Sequence, residues 1–172
     1  MKKAGIFFLL FIVFCLLAAV YGIIHDQITY SISEEYYSKF KFIQFNIPDN
    51  LHNRLGDGLV GVYATWWMGI VIGLFLIPVG LIIPGWKNYF WGMIRTIGIV
   101  TITALIIGLG ALLIGYIGYD PEQLYFNIPS NILEIKRFYL CGHMHNFSYV
   151  GGLIGIAAGI VWIIIERKTA YR

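Results

Sequence analysis

Apolar residues fill four long charge-free intervals and polar residues gather between them. Twenty-one residues separate Lys3 from His25, 29 separate Asp57 from Lys87, 24 separate Arg95 from Asp120, and Phe147–Ile165 adds 19. A helix crossing the hydrocarbon core needs roughly 20 apolar residues, so the pattern predicts four membrane helices. The expected spans are 4–24, 59–84, 96–118 and 143–165. An outer loop 25–58, an inner loop 85–95, an outer loop 119–142 and a tail 166–172 complete a single membrane domain, 1–172. The fold expected is an all-α, four-transmembrane-helix up-down bundle. The first interval is read as a retained helix, because its 21 residues exceed the roughly 7–15 of a signal-peptide core.

Composition agrees. The chain is 59% hydrophobic and 12% charged, with a mean hydropathy of +0.76; a soluble domain carries about twice that charged fraction. No length is left for a separate soluble catalytic domain. Four spans put both termini on one side. With the termini inside, the inner segments hold Lys2, Lys3, Lys87, Arg95, Arg167, Lys168 and Arg172 against the single acid Glu166. The longer outer loops hold five basic residues and eight acids. The positive-inside rule then predicts cytoplasmic termini. All four histidines, His25, His52, His143 and His145, fall on the outer side. Cys15 lies well below the outer end of its helix and Cys141 at or above the outer surface, too far apart for a disulfide; both are expected as free thiols.

In the first outer loop Ile28, Tyr30 and Ile32 alternate with polar residues, as do Phe40 and Phe42, and Ile43, Phe45 and Ile47 continue one residue out of step. Period-two patterning with β-branched and aromatic residues reads as strand, the slip as a bulge. "LYFNI" in the second outer loop offers a third strand. A small β-rich cap outside the membrane is expected, with an irregular loop dipping its aromatics into the headgroups as the alternative. The stretch "HDQITYSISEEYYSKFKFIQF" resembles a motif of small bacterial membrane proteins with four predicted spans and no assigned activity, with a weaker match around "ATWWMG". That resemblance implies the architecture and a bacterial inner membrane, and brings no site residues with it.

"FNIPDN" (Phe45–Asn50) and "FNIPSN" (Phe126–Asn131) echo each other across the two outer loops, and "WMGIVIG" lines up with "YVGGLIG". The expectation is a duplicated helical hairpin; short apolar matches arising by chance are the competing explanation. Helices in lipid gain from small residues that let backbones approach. Gly69 and Gly73 on the second span, and Gly151, Gly155 and Gly159 on the fourth, are therefore the expected packing positions, with the second and fourth helices in closest contact and a kink at Pro78.

The chemistry-bearing residues cluster at one level. His25 and Asp26 end the first span, His143 and His145 begin the fourth, and the first and fourth helices are neighbours in a four-helix ring. Imidazole with carboxylate suits zinc, iron or copper, and Cys141 and Met144 would add soft ligands for copper; bis-histidine haem ligation is also conceivable. The candidate metal ligands are thus His25, Asp26, His143 and His145. Spacing speaks partly against the set, since residues two apart on a helix point about 200° away from each other. The plainer explanation is a helix entry whose polar residues satisfy free amides. Ser148 near His145 forms a candidate nucleophile pair, and Glu34–Glu35 a candidate acid and base or a solvated turn. No phosphate-cradling loop, CxxC pair or basic nucleic-acid patch occurs. The spans carry no charge in their middle thirds, which argues against an ion pathway.

These observations point first to a non-catalytic accessory, assembly or scaffolding subunit. Its partners would be membrane lipids, other membrane-protein subunits or a second copy. The alternatives are a metal- or haem-binding protein with an outer-leaflet histidine and carboxylate site, and a carrier of small uncharged or lipid-like molecules.

Overall fold

Four helices, each with an apolar window long enough to cross a membrane, account for most of the chain. The computed structural model describes residues 2–170 and gives α1 (Lys2–Ile32), α2 (Arg54–Gly80), α3 (Trp86–Ile117) and α4 (Ile135–Thr169). Arg172, counted above among the inner charges, lies outside the described residues. Helix is the only open conformation that satisfies every backbone group inside hydrocarbon. At 1.5 Å per residue, the 31 residues of α1 reach about 46 Å, well beyond the roughly 30 Å core. The surplus turns matter, because they carry the polar residues.

Along α1, side-chain size separates the two faces only toward the polar end. On α1, Phe8, Ile12, Leu16, Val20 and Ile24 are exposed, whereas Leu10, Phe14, Ala18 and Gly22 are buried. Both stripes are apolar; the inward one shrinks from Leu and Phe to Ala and Gly as it approaches the polar end. There Gly22 and Gly61 meet backbone to backbone. A Cβ added at Gly69 would lie 2.5 Å from the Cα of Cys15, and one at Gly155 2.9 Å from the Cα of Val100.

The expected glycines are therefore close-approach positions, but with other partners than expected. Gly69 and Gly73 face α1, Gly151 and Gly155 face α3, and Gly159 lies between Thr96 of α3 and Leu76 of α2. The tight pairs are α1–α2 and α3–α4, not α2–α4. A small-residue stripe says that some backbone comes close; hairpin connectivity decides which. Two antiparallel hairpins result, each closely packed inside and loosely joined to the other.

The β-rich cap is not formed: among the described residues there is no strand. The first alternating stretch belongs to α1, which runs on to Ile32. Ser33 then caps a short α turn, Glu34–Tyr36, by accepting from the Tyr36 N–H. A π-helical turn, Tyr37–Lys41, and a further α turn, Phe42–Gln44, follow. Widening the turn lets adjacent residues Tyr36 and Tyr37 both bury, which a regular α-helix would resist. They join Tyr30, Phe42, Ile47, Ile132 and Phe138 in an aromatic plug over the bundle. Aromatic residues suit a strand and a buried helical turn equally, and only the missing pairing partner separates the two. "LYFNI" lies in irregular chain.

Helix boundaries also moved. α3 starts at Trp86, so most of the expected inner loop is helical and Leu81–Gly85 alone connects α2 to α3. Gly85 makes that turn at φ +74°, a conformation that costs glycine nothing. Pro78 stands in the last turn of α2. At this end Lys3 donates to the carbonyls of Leu81 (2.6 Å) and Ile83 (2.7 Å), and Arg95 pairs with Glu166 at 2.9 Å.

Candidate functional site

His25 and Asp26 lie seven and six residues before the end of α1, so the helix lifts them about 10 Å below its tip. His145 and Ser148 sit ten and thirteen residues into α4. α4 thus begins well before the histidines, in contrast to the expected entry at residue 143. Phe147 and Tyr149, either side of Ser148, are exposed, as aromatic residues are at a membrane boundary. Exposed Trp66 and Trp67 lie deeper, next to Thr65, whose hydroxyl donates to the Ala18 carbonyl.

The two helices bring two imidazoles onto one carboxylate. His25 Nδ1 lies 3.0 Å from Asp26 Oδ1, and His145 Nε2 lies 3.2 Å from the same oxygen. The imidazole centroids are 4.6 Å apart with the rings nearly perpendicular, at 84°. One donor atom from each of His25, Asp26 and His145 falls within 4.8 Å of the others, and all three residues are buried. Each imidazole is anchored through its far nitrogen. His145 Nδ1 donates to the Cys141 carbonyl at 2.8 Å, and His25 Nε2 meets the Ser148 hydroxyl at 3.1 Å. A carbonyl only accepts, so the proton of neutral His145 sits on Nδ1 and its bare Nε2 faces a carboxylate oxygen. Two lone pairs at that distance require a cation or a proton between them.

Asp26 Oδ2, His145 Nε2, the Tyr21 hydroxyl and both oxygens of Asp57 are buried without a hydrogen-bond partner. Such a cluster does not pay in stability. Interhelical hydrogen bonds in membranes average about 0.6 kcal/mol, whereas an ion withdrawn from water costs several kcal/mol. Ionisable residues buried at membrane depth are rare, and that rarity singles this cluster out as the candidate site.

The structure separates His143 from the set. Its ring stacks on Tyr139 (5.4 Å) and lies tilted against Phe147 (4.6 Å) beside Gly115 of α3, on the far side of α4 from His145. The 200° spacing foresaw this. His52 stays in the loop, donating to the Ile47 carbonyl at 2.9 Å and stacking on Phe42. Cys141 is buried rather than at the surface; its thiol donates to the Thr29 carbonyl at 3.1 Å and ties α4 to α1. Met144 packs at Gly108. Both soft ligands are thus engaged elsewhere. Cys15 and Cys141 are free thiols, as expected. Ser148 pairs with His25, not with His145.

The plug covers the cluster. Tyr36 lies 5.1 Å and Tyr37 6.4 Å from the His145 ring, and the Tyr37 hydroxyl binds Thr29 at 2.6 Å. Asp57, at the start of α2, lies beside Tyr37 and Asp26. Helix order places Asp57 at the level of Asp26 from sequence alone. Tyr21, within the first expected span, and Tyr36 and Tyr37, within the expected outer loop, carry no pattern that marks them as neighbours of the site. Glu35 secures the plug by reaching across to α4. Its carboxylate accepts from the N–H groups of Leu133 (2.9 Å) and Glu134 (2.8 Å) and from Lys39 (2.6 Å). The Glu134 N–H, Lys39 and the Leu133 N–H, in that order, hold it at about 2, below the ordinary 4.5. Glu35 is therefore a clasp between the loop and α4, far in character from one half of an acid and base pair. Burial lowers the pKa of Lys41, whose ammonium lies 5.0 Å over the Phe40 ring.

Beneath the cluster a narrow cavity of about 60 Å³ follows the seam between the hairpins. Tyr21, His25, Asp26, His145 and Ser148 form its polar end, and carbon lines nearly all of the rest.

No protein-family model, no curated protein and no solved structure matches this chain. Its chemistry is read from its own geometry.

Proposed function

We propose that this integral membrane protein is a small metalloprotein that holds one transition-metal ion between α1 and α4. His25, Asp26 and His145 are the ligands. The observation that carries the reading is the orientation of the imidazoles: each is fixed through its far nitrogen, and both near nitrogens converge on Asp26. Metal-binding histidines are held in this way, by a hydrogen bond from the second ring nitrogen to a carbonyl or polar group. Two nitrogens and a carboxylate suit zinc, iron or copper. Three protein ligands leave a coordination position open, as reactive rather than structural sites do. Haem does not suit the geometry: the imidazoles meet edge to face on one carboxylate oxygen, which leaves no plane for a macrocycle. The scaffolding role expected from the sequence assigned no task to these buried groups; metal binding assigns one to His25, Asp26 and His145.

Cobalt(II) titration of the purified, chelator-treated protein tests this. Visible d–d bands saturating at one equivalent, and absent from Asp26→Asn, are the expected result. No bands at any ratio would overturn the reading.

The location follows from charge and resemblance. With the termini cytoplasmic, the plug and the metal site face outward from a bacterial inner membrane. We infer the hairpin duplication on similar grounds, since both hairpins use glycines at four-residue intervals for their closest approach. Superposition of α1–α2 on α3–α4 tests it.

A further inference from the structure

Among the glycines of α4, Gly152 stands apart. A Cβ added at Gly151 or Gly155 would run into α3 at 2.8 Å and 2.9 Å, whereas one at Gly152 meets nothing within 4 Å, although Gly152 is buried. The space it leaves is the seam cavity, whose wall it forms together with Ala18, Ala64, Val100 and Ala104. Five small or slender residues from four helices keep this slot open where the rest of the bundle closes.

Its shape restricts the occupant. The lining on α1 runs from Ala18 to Asp26, about 12 Å at 1.5 Å per residue. The centre of a water-sized sphere can move through only about 60 Å³ along that length, a slender track that suits one unbranched hydrocarbon chain and no ring system. The plug closes the end toward the loops, with Tyr36 and Tyr37 over His145. Entry is therefore through the seam, from lipid.

The polar end restricts the head group. Asp26 Oδ2 is an acceptor without a donor, and the Tyr21 hydroxyl, also on the cavity wall, is unpartnered. A neutral hydroxyl satisfies both at once, donating to Asp26 and accepting from Tyr21. A carboxylate head would meet Asp26 as a like charge.

We propose that the seam slot binds a long-chain primary alcohol, or another single-chain lipid with a neutral hydroxyl head, drawn from the bilayer with the hydroxyl at Asp26. This deepens the proposed function, since it rests on the cluster being a ligand-binding centre and supplies an occupant for the metal's open position. It needs no metal to be tested.

The probe is a saturated C14 alcohol with a mid-chain diazirine and a terminal alkyne, photolysed with the full-length protein in phosphatidylcholine vesicles. The matching C14 carboxylic acid and C14 amine probes serve as comparisons. Mapped adducts are expected on slot-lining residues such as Met68 and Ile72, at least fivefold stronger for the alcohol than for the acid or amine. Gly152→Leu, which fills the slot, should abolish them. Gly110→Leu, also open around its Cβ but off the slot, should not. The thermal midpoint of Gly152→Leu in detergent reports folding, and cobalt binding reports the metal reading separately. Equal labelling by all three probes, or labelling that survives in a folded Gly152→Leu protein, overturns the proposal. Absence of cobalt binding with alcohol labelling intact would instead remove the metal and leave the slot. If Gly152→Leu fails to fold, Gly152→Val decides by the same criterion.

Discussion

His145 presents Nε2 to Asp26 Oδ1 at 3.2 Å while its Nδ1 is committed to the Cys141 carbonyl at 2.8 Å. This relationship joins α1 and α4 and fixes which nitrogen is free. On the proposed metal reading these two side chains supply two donors, and His25, hydrogen-bonded to Ser148, would supply the third.

Ser148 is a positioning residue on this account. Ser148→Ala removes the hydroxyl that orients His25, and second-shell losses of this kind weaken metal binding by about 10–100-fold. The expected result is weaker affinity at unchanged stoichiometry, read by competition with a chelator of known affinity. Unchanged affinity would mean that His25 needs no anchor.

Glycine substitutions should sort by partner. Gly69→Leu drives a side chain into the α1 backbone at Cys15, and Gly155→Leu does the same at Val100. Overpacking of this type costs about 1–3 kcal/mol, visible as a lower thermal midpoint in detergent. Gly98→Leu, with nothing within 4 Å, should leave the midpoint in place.

The Glu35 clasp carries a pH signature. Its carboxyl is held at about 2 against an ordinary 4.5, a lowered value, so its contribution is fully present above pH 4.5. It fades as pH falls from there through about 2. Glu35→Ala should speed hydrogen exchange at Leu133 and Glu134 near neutral pH. The difference from wild type should shrink on acidification over that window.

Topology is best read from introduced thiols. Cys141 is buried with its thiol bonded to Thr29, so maleimides should leave it unlabelled on either side until the protein unfolds. In a cysteine-free background, exposed Ser38→Cys should react with a membrane-impermeant maleimide in intact cells. Reaction only after lysis would reverse the assigned orientation.

The spans, and their number, were legible in the sequence because hydrocarbon admits few conformations and long apolar runs announce them. The convergence of His25 with His145 was legible from helix order, and the divergence of His143 from helical spacing. The aromatic plug was not. Tyr30 and Phe42 satisfy a period of two on paper, while the π-helical turn at Tyr37–Lys41, beside which adjacent Tyr36 and Tyr37 are both buried, leaves no periodic trace. Partner choice for the glycines was hidden for another reason: a small residue records that a backbone is near, not which one. The seam slot depends on Gly152 facing a gap between hairpins, a property of assembly that no single helix contains.

Metal content of the purified wild-type protein, set against Asp26→Asn and His143→Ala, tests the central claim most directly. About one equivalent of zinc, iron or copper in wild type and His143→Ala, lost in Asp26→Asn, is the predicted result. A wild-type protein that holds no metal after purification without chelators, and takes up none when offered each ion, would contradict it.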